Sequence, residues 1–193
     1  MAIIKYNAGN IQSILFAMER LGIQATVTDD HELIRKADRV IFPGVGEASG
    51  AMAYLRERKL DQTLKNLKQP LLGICLGMQL MCSYSEENDT VCLNIFETRV
   101  KRFSLSPGIK VPQIGWNRVS ETSGPLFREI QESSYFYFVH SYYAELSEEK
   151  TAVTDYGVRF NSAMRKDNFY GVQFHPEKSA LPGEKILKNF LSL

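Results

Sequence analysis

Three features of this chain predict an α/β fold on a mixed sheet. The first half alternates short apolar runs with segments of helical periodicity. From Thr98 onward the pattern turns strand-rich, and no Ser/Gly/Pro-rich linker, repeat or low-complexity segment divides the 193 residues. Strands alternating with helices pack as a parallel sheet covered on both faces. A chain of this length buries roughly 70% of its unfolded surface, so a single domain over residues 1–193 is expected.

Taken in order, residues 2–6 read as a strand. Residues 11–21 carry Ile11, Ile14, Leu15, Met18 and Leu21 at a helical period, and Gly22 stops that helix. A strand over 23–28 and a short helix near 31–36 follow. The strand at 39–42 runs into Pro43-Gly44-Val45-Gly46. Helices near 47–58 and 61–67 lead to an apolar strand and then to an amphipathic helix starting at Cys75. Later strands are expected at 98–103, 135–139, 151–155, 158–164 and 169–174, with a closing helix over 183–191.

Composition narrows the chemistry. Hydrophobic content is 44%, charged content 23% and formal net charge +1, ordinary for a globular protein. No Lys/Arg run or basic stripe calls for nucleic acid, no apolar run reaches the ~20 residues of a membrane span, and the N-terminus lacks the pattern of a signal peptide. Three cysteines (Cys75, Cys82, Cys92) without C-x-x-C spacing and three histidines (His31, His140, His175) make no metal-ligand pattern. A reduced, cytoplasmic protein without a metal is expected. Cys82 reads as core, and His31, in a charged stretch, as a solvated surface residue.

The segment LLGICLGMQL, residues 71–80, carries most of the functional information. An apolar strand ends at Cys75 with glycine two positions before and two after. Those glycines permit the sharp strand-to-helix turn that lifts a nucleophile off the sheet edge. At the start of a helix the sulfur meets free N–H groups that favour a thiolate. About a hundred residues on stands GVQFHPEKS, residues 171–179. The residue before proline is driven toward extended geometry, where positions i and i+2 share a side, so the Glu177 carboxylate would orient the His175 imidazole. A thiol, a histidine base and an acidic orienter form the minimal set for nucleophilic catalysis. Pro43–Gly46 ends a strand on the same sheet edge. It is either a plain turn or a source of a backbone N–H for an oxyanion, paired with the N–H of Leu76.

Together these residues resemble the class I (triad) glutamine amidotransferases. The likeness is strongest to the branch that serves a cyclase barrel in histidine biosynthesis, through PGVG (43–46), GICLGMQ (73–79), GWN (115–117), YFVHSY (137–142) and FHPEKS (174–179). The resemblance implies a flavodoxin-like amidotransferase fold, its mostly parallel mixed sheet flanked by helices, and hydrolysis of L-glutamine to L-glutamate and ammonia without a cofactor. It implies Cys75 as nucleophile, His175 as base and then acid, and Glu177 as orienter. Backbone N–H groups of Val45 and Leu76 would form the oxyanion hole, and Gly46, Gln79, Glu87, Ser141 and Tyr142 would hold the amino-acid end of the substrate. Ammonia would pass to a separate barrel-shaped cyclase, giving a heterodimer. Asn10, Trp116, Asn117, Tyr137 and Lys178 match the interface with that partner. Read from the residues alone, Trp116 is either core or docking surface, and Lys178 either docking residue or solvated cation. His140 reads as structural. The glycine-bounded segment Gly44-Val45-Gly46 can rest with a peptide carbonyl or with its N–H toward the site, and the sequence leaves that choice open.

Overall fold

The computed structural model describes residues 1–6, 11–104 and 108–193. Its central sheet begins with β1 (Ala2–Ile4), β2 (Thr26–Thr28), β3 (Val40–Phe42) and β4 (Leu71–Ile74), which with β13 (Phe169–Val172) lie parallel in the order β2-β1-β3-β4-β13. Beyond β13 the sheet turns antiparallel through β12 (Arg159–Lys166), which pairs with both β10 (Tyr142–Ala144) and β11 (Lys150–Asp155). It ends in β7 (Arg99–Arg102), β5 (Tyr84–Ser85) and β6 (Thr90–Val91). A separate ribbon pairs β8 (Gln113–Arg118) with β9 (Tyr135–His140), Trp116 opposite Tyr137.

Alternate residues of the parallel strands enter opposite cores, as the twofold period of a strand requires. Ile4, Val40, Phe42 and Leu71 face one core with α2 (His31–Lys36), α3 (Ala48–Glu57) and α4 (Leu60–Lys65). Ile3, Ile41, Leu72 and Ile74 face the other, packed on α1 (Ile11–Arg20) and α6 (Ala180–Leu191). Both faces are covered, which is why these strands read as unbroken apolar runs.

Several expectations need correction. The helix after Cys75, α5 (Leu76–Met81), is buried along its whole length rather than amphipathic, because it lies under the sheet edge between neighbouring elements. His31 is half-buried rather than freely solvated: its ring bonds Thr63 Oγ1 at 2.6 Å and the Arg58 carbonyl at 3.0 Å, bridging α2 to α4. The strand expected to run to Phe174 ends at Val172, and the strand β8 had no clear signal in the sequence, since Gly115 and alternating exposure leave it a short two-sided ribbon. Cys82 is buried as expected.

Candidate active site

β4 delivers Cys75 at φ 54°, ψ −112°, a left-handed conformation held at the N-cap of α5. Such strain costs of order 1–3 kcal/mol and persists only where surrounding structure enforces it. Enforcement comes from close packing. A Cβ on Gly77 would collide with the carbonyl oxygen of Phe42, and one on Gly73 would strike α5 itself. The flanking glycines therefore let α5 lie directly on β3 and β4. The elbow is pinned where Cys75 N–H donates to the Val172 carbonyl at 2.8 Å, tying Cys75 to β13.

β13 also leads to the histidine. His175 is extended (φ −96°, ψ 97°), and a single 3-10 turn, Pro176–Lys178, follows. Glu177 thus reaches the ring from a turn, not from the extended run the tripeptide implied, and its Oε1 accepts from His175 Nδ1 at 2.8 Å. Burial disfavours a charged imidazole, but the charge and hydrogen bonding of the Cys75 sulfur, with the Glu177 carboxylate behind, push His175 up to about 10. The backbone of His175 is fixed from outside: its N–H donates to the Tyr137 carbonyl at 2.9 Å, and Ser179 Oγ donates to its carbonyl at 2.6 Å.

The sulfur opens into a cavity of about 260 Å³ lined by Val45, Gly46, Leu76, Gln79, Glu87, Pro112, Val139, His140, Ser141 and Tyr142. That is below the roughly 300–1,000 Å³ of drug-sized sites and fits a small polar ligand. All five residues expected to hold substrate line it. Glu87 supplies a carboxylate whose Oε2 accepts from the Ala48 N–H at 2.8 Å; burial pushes its acid up despite that bond, and the Glu47 charge adds to the rise. Gln79 gives both of its side-chain N–H groups away, to the Tyr142 carbonyl at 2.8 Å and Gln173 Oε1 at 2.9 Å, so its own carbonyl is what remains for a ligand.

The two expected oxyanion donors do not converge in this state. Leu76 N–H donates to the Gly44 carbonyl at 3.3 Å. Because the Gly44-Val45 peptide is planar and trans, the Val45 N–H points the opposite way. Tyr6, which no sequence signal had marked, holds this segment by donating its buried hydroxyl to the Pro43 carbonyl.

Of the expected interface residues, Trp116, Tyr137 and Lys178 come together on one surface. Trp116 is 52% exposed, which settles it as surface and not core, and its ring meets Tyr137 edge-on at 6.1 Å. Lys178 Nζ lies over the same tyrosine at 5.9 Å. Asn117 faces the other side of the ribbon, donating to the Asp155 carbonyl at 3.0 Å. Asn10 lies outside the described residues. Sequence reasoning also passed over Gln173, whose Nε2 donates to the Cys75 sulfur at 3.6 Å, and Ser179. Both sit inside the stretch already singled out for His175, and only the fold shows where their side chains go. Among the described residues no cluster of His, Cys, Asp and Glu could hold a metal ion.

Known proteins resemble this chain along its whole length. The family described as glutamine amidotransferase class-I matches residues 2–193. The imidazole glycerol phosphate synthase subunit HisH of Bacteroides fragilis is 54% identical over 194 residues, covering all of this chain and 99% of that protein. HisH of Haemophilus influenzae is 47% identical over 192 residues, covering 99% and 96%. Among solved structures, a glutamine amidotransferase shares the fold at TM-score 0.76 and 19% identity, covering 99% of this chain and 97% of that one. PurLQS from Thermotoga maritima does so at TM-score 0.69 and 15% identity, covering 99% and 96%. A match that runs from the first strand to the last helix, with a thiol, an imidazole and a carboxylate assembled at the elbow, leaves one assignment: the chain belongs to the class I glutamine amidotransferases and, within them, to the family of the imidazole glycerol phosphate synthase subunit HisH.

Proposed function

We propose that residues 1–193 act as one amidotransferase domain that hydrolyses L-glutamine to L-glutamate and ammonia, and delivers the ammonia to the barrel-shaped cyclase subunit HisF in a heterodimer. There the ammonia would be used to make imidazole glycerol phosphate and aminoimidazole carboxamide ribotide for L-histidine. The observation that carries the reading is the Cys75, His175 and Glu177 triad opening into a cavity whose wall includes the Glu87 carboxylate, a match for an α-ammonium group. The Cys75 sulfur attacks the amide carbon, and the tetrahedral oxyanion takes the N–H groups of Leu76 and Val45 once the Gly44-Val45 peptide has turned over. His175 gives its proton to the departing nitrogen, ammonia leaves, and a thioester remains. Water, deprotonated by His175, attacks the thioester and releases glutamate. No group in these steps requires a cofactor.

The Gly44 carbonyl on Leu76 N–H supports a resting state with no oxyanion hole. A missing oxyanion donor costs about 10²–10³ in turnover, which would keep ammonia from being released without an acceptor. The three cysteines are free and buried, consistent with the cytoplasm as the working compartment, and no helix among the described residues is long and apolar enough to cross a membrane. The decisive measurement is the glutaminase rate of the chain alone and with the barrel subunit loaded with its nucleotide substrate. A slow rate alone and a rise of two or more orders of magnitude in the complex are expected. Equal rates would remove the switch, and no glutamine turnover in either would remove the activity.

A further inference from the structure

The polar groups behind the Cys75 sulfur form a chain whose polarity is dictated from one end. Tyr142 contributes a backbone carbonyl, which only accepts. His140 Nδ1 lies 2.7 Å from it and Gln79 Nε2 2.8 Å, so both must be donors there. Gln79 therefore turns its NH2 group toward Gln173 as well, and Gln173 must answer with Oε1, at 2.9 Å. Its NH2 group is left facing the Cys75 sulfur at 3.6 Å. An amide whose orientation is otherwise a free choice is here decided by a main-chain carbonyl two hydrogen bonds away. Gln173 and Gln79 are buried, and the Gln173 backbone is anchored by its N–H on the Ser162 carbonyl at 2.9 Å.

From this geometry we propose that Gln173 is a further catalytic residue: its carboxamide N–H, held in place by Gln79 and the Tyr142 carbonyl, donates to the Cys75 sulfur and keeps it ionised and aimed into the cavity. His175 cannot do this alone. It must swing its proton between the sulfur, the leaving nitrogen and water, whereas Gln173 has no proton to transfer and stays in place through the cycle. A hydrogen bond to a charged acceptor is about twice as strong as one between neutral groups, so the bond matters most while the sulfur carries charge. When the thioester forms and sulfur loses its charge, that bond weakens, so its help falls on the attacking state.

The test rests on the glutaminase reading only for its second arm. Gln173→Met keeps length and bulk while removing the donor, and Gln173→Leu is a second variant should the first perturb folding. The first arm follows carbamidomethylation of Cys75 by iodoacetamide in the full chain across pH, with peptide mapping to separate it from the buried Cys82 and Cys92. We expect the half-maximal pH to rise by about one unit in both variants, so that alkylation at a fixed pH below both midpoints falls about tenfold, with the thermal midpoint recorded alongside. A purely structural role would lower the thermal midpoint without moving the alkylation profile. In the second arm, the partner-stimulated kcat falls at least tenfold with KM little changed. In the unsubstituted protein the Gln173 side-chain NH2 signals, followed by NMR, are expected to titrate with Cys75 and to stop doing so in Cys75→Ala. An unmoved alkylation profile in a folded variant, or side-chain signals blind to Cys75, overturns the proposal while leaving the glutaminase reading intact. A lack of glutamine turnover by the unsubstituted complex removes that reading and leaves the alkylation result standing.

Discussion

Two histidines, two environments and two duties are set a few residues apart in space. His175 bonds the Glu177 carboxylate and lies beside the Cys75 sulfur, so under the proposed mechanism its removal should strip the site of base and acid together. His175→Ala is expected to lower stimulated glutamine turnover by ~10⁴ or more, and Cys75→Ser to abolish it with the thermal midpoint unchanged. Cys82→Ser should retain most activity. Alkylation at Cys82 in place of Cys75 would contradict the elbow. His140 is the opposite case. Burial pushes its imidazole down to about 4 against the pull of its bond to the Tyr142 carbonyl, with the nearby His175 charge adding to the fall. Its native value lies below the unfolded one near 6.5, so the unfolded chain takes up a proton first as the medium acidifies. Stability from this group is fully present above pH 6.5 and is lost as pH falls toward 4, by on the order of 3 kcal/mol. Denaturant unfolding at pH 7, 5.5 and 4.5 should show that loss in the unsubstituted chain and a flatter profile in His140→Gln. Equal slopes would assign the acid sensitivity elsewhere.

At the scale of the element, the N-terminus of α3 shows how the loop after the oxyanion segment is held. Glu47 caps the helix through its carboxylate, accepting from Ser49 N–H at 2.7 Å and Gly50 N–H at 2.9 Å, and Asn88 Nδ2 adds a third donor at 2.8 Å. Those bonds hold the Glu47 acid down to about 2, the Ser49 bond foremost. Glu47→Ala should cost about 1 kcal/mol, typical for loss of a helix cap, and lower the thermal midpoint by about 2–4 °C. Because Glu87 sits on the next N–H of the same helix, at Ala48, the variant is also expected to raise the KM for glutamine more than it lowers kcat. An unchanged KM would separate the cap from the cavity. The ribbon β8–β9 joins outside to inside in the same way: Trp116 and Tyr137 stand on its outer side, while Phe136, Phe138 and His140 are buried on its inner side.

For the whole molecule, the outer face of that ribbon is the surface the proposed function assigns to a partner. Ile114, Trp116 and Tyr135 are exposed there, beside Lys178 at the end of the triad segment. An exposed aromatic that becomes a buried anchor costs ~2 kcal/mol or more when truncated, whereas a rim ion pair contributes ~0–1 kcal/mol. Trp116→Ala should therefore weaken assembly with the barrel subunit by roughly thirtyfold. Lys178→Ala should change affinity little but reduce the stimulation of glutamine hydrolysis by the partner's ligand. Titration of complex formation and stimulated rates for both variants decide this, and unchanged values for both would move the interface off the ribbon. Tyr137 links that face to the chemistry directly, since its carbonyl holds the His175 N–H at 2.9 Å.

Local pattern alone determined the α/β class, the succession of the first four strands along the chain and the elbow at Cys75, because the glycine spacing and the apolar runs are short-range consequences of steric and burial demands. The pairing of His175 with Glu177 was also legible, though its backbone path was not: the sequence implied an extended run, and the fold made a turn, since Pro176 opens a 3-10 turn whose carbonyl then accepts from the Ser179 N–H at 3.1 Å. The ring contacts of His31 were not legible because a charged neighbourhood said nothing about Thr63, thirty-two residues away. What only tertiary structure decided was the direction of individual hydrogen bonds. The Gly44 carbonyl on Leu76, the Tyr6 hydroxyl on Pro43 and the Gln173 amide on Cys75 each join segments that follow different strands at the sheet edge. No local propensity encodes such contacts. They exist because buried polar groups must find partners, and which partner is in reach is set by how the strands are ordered in space.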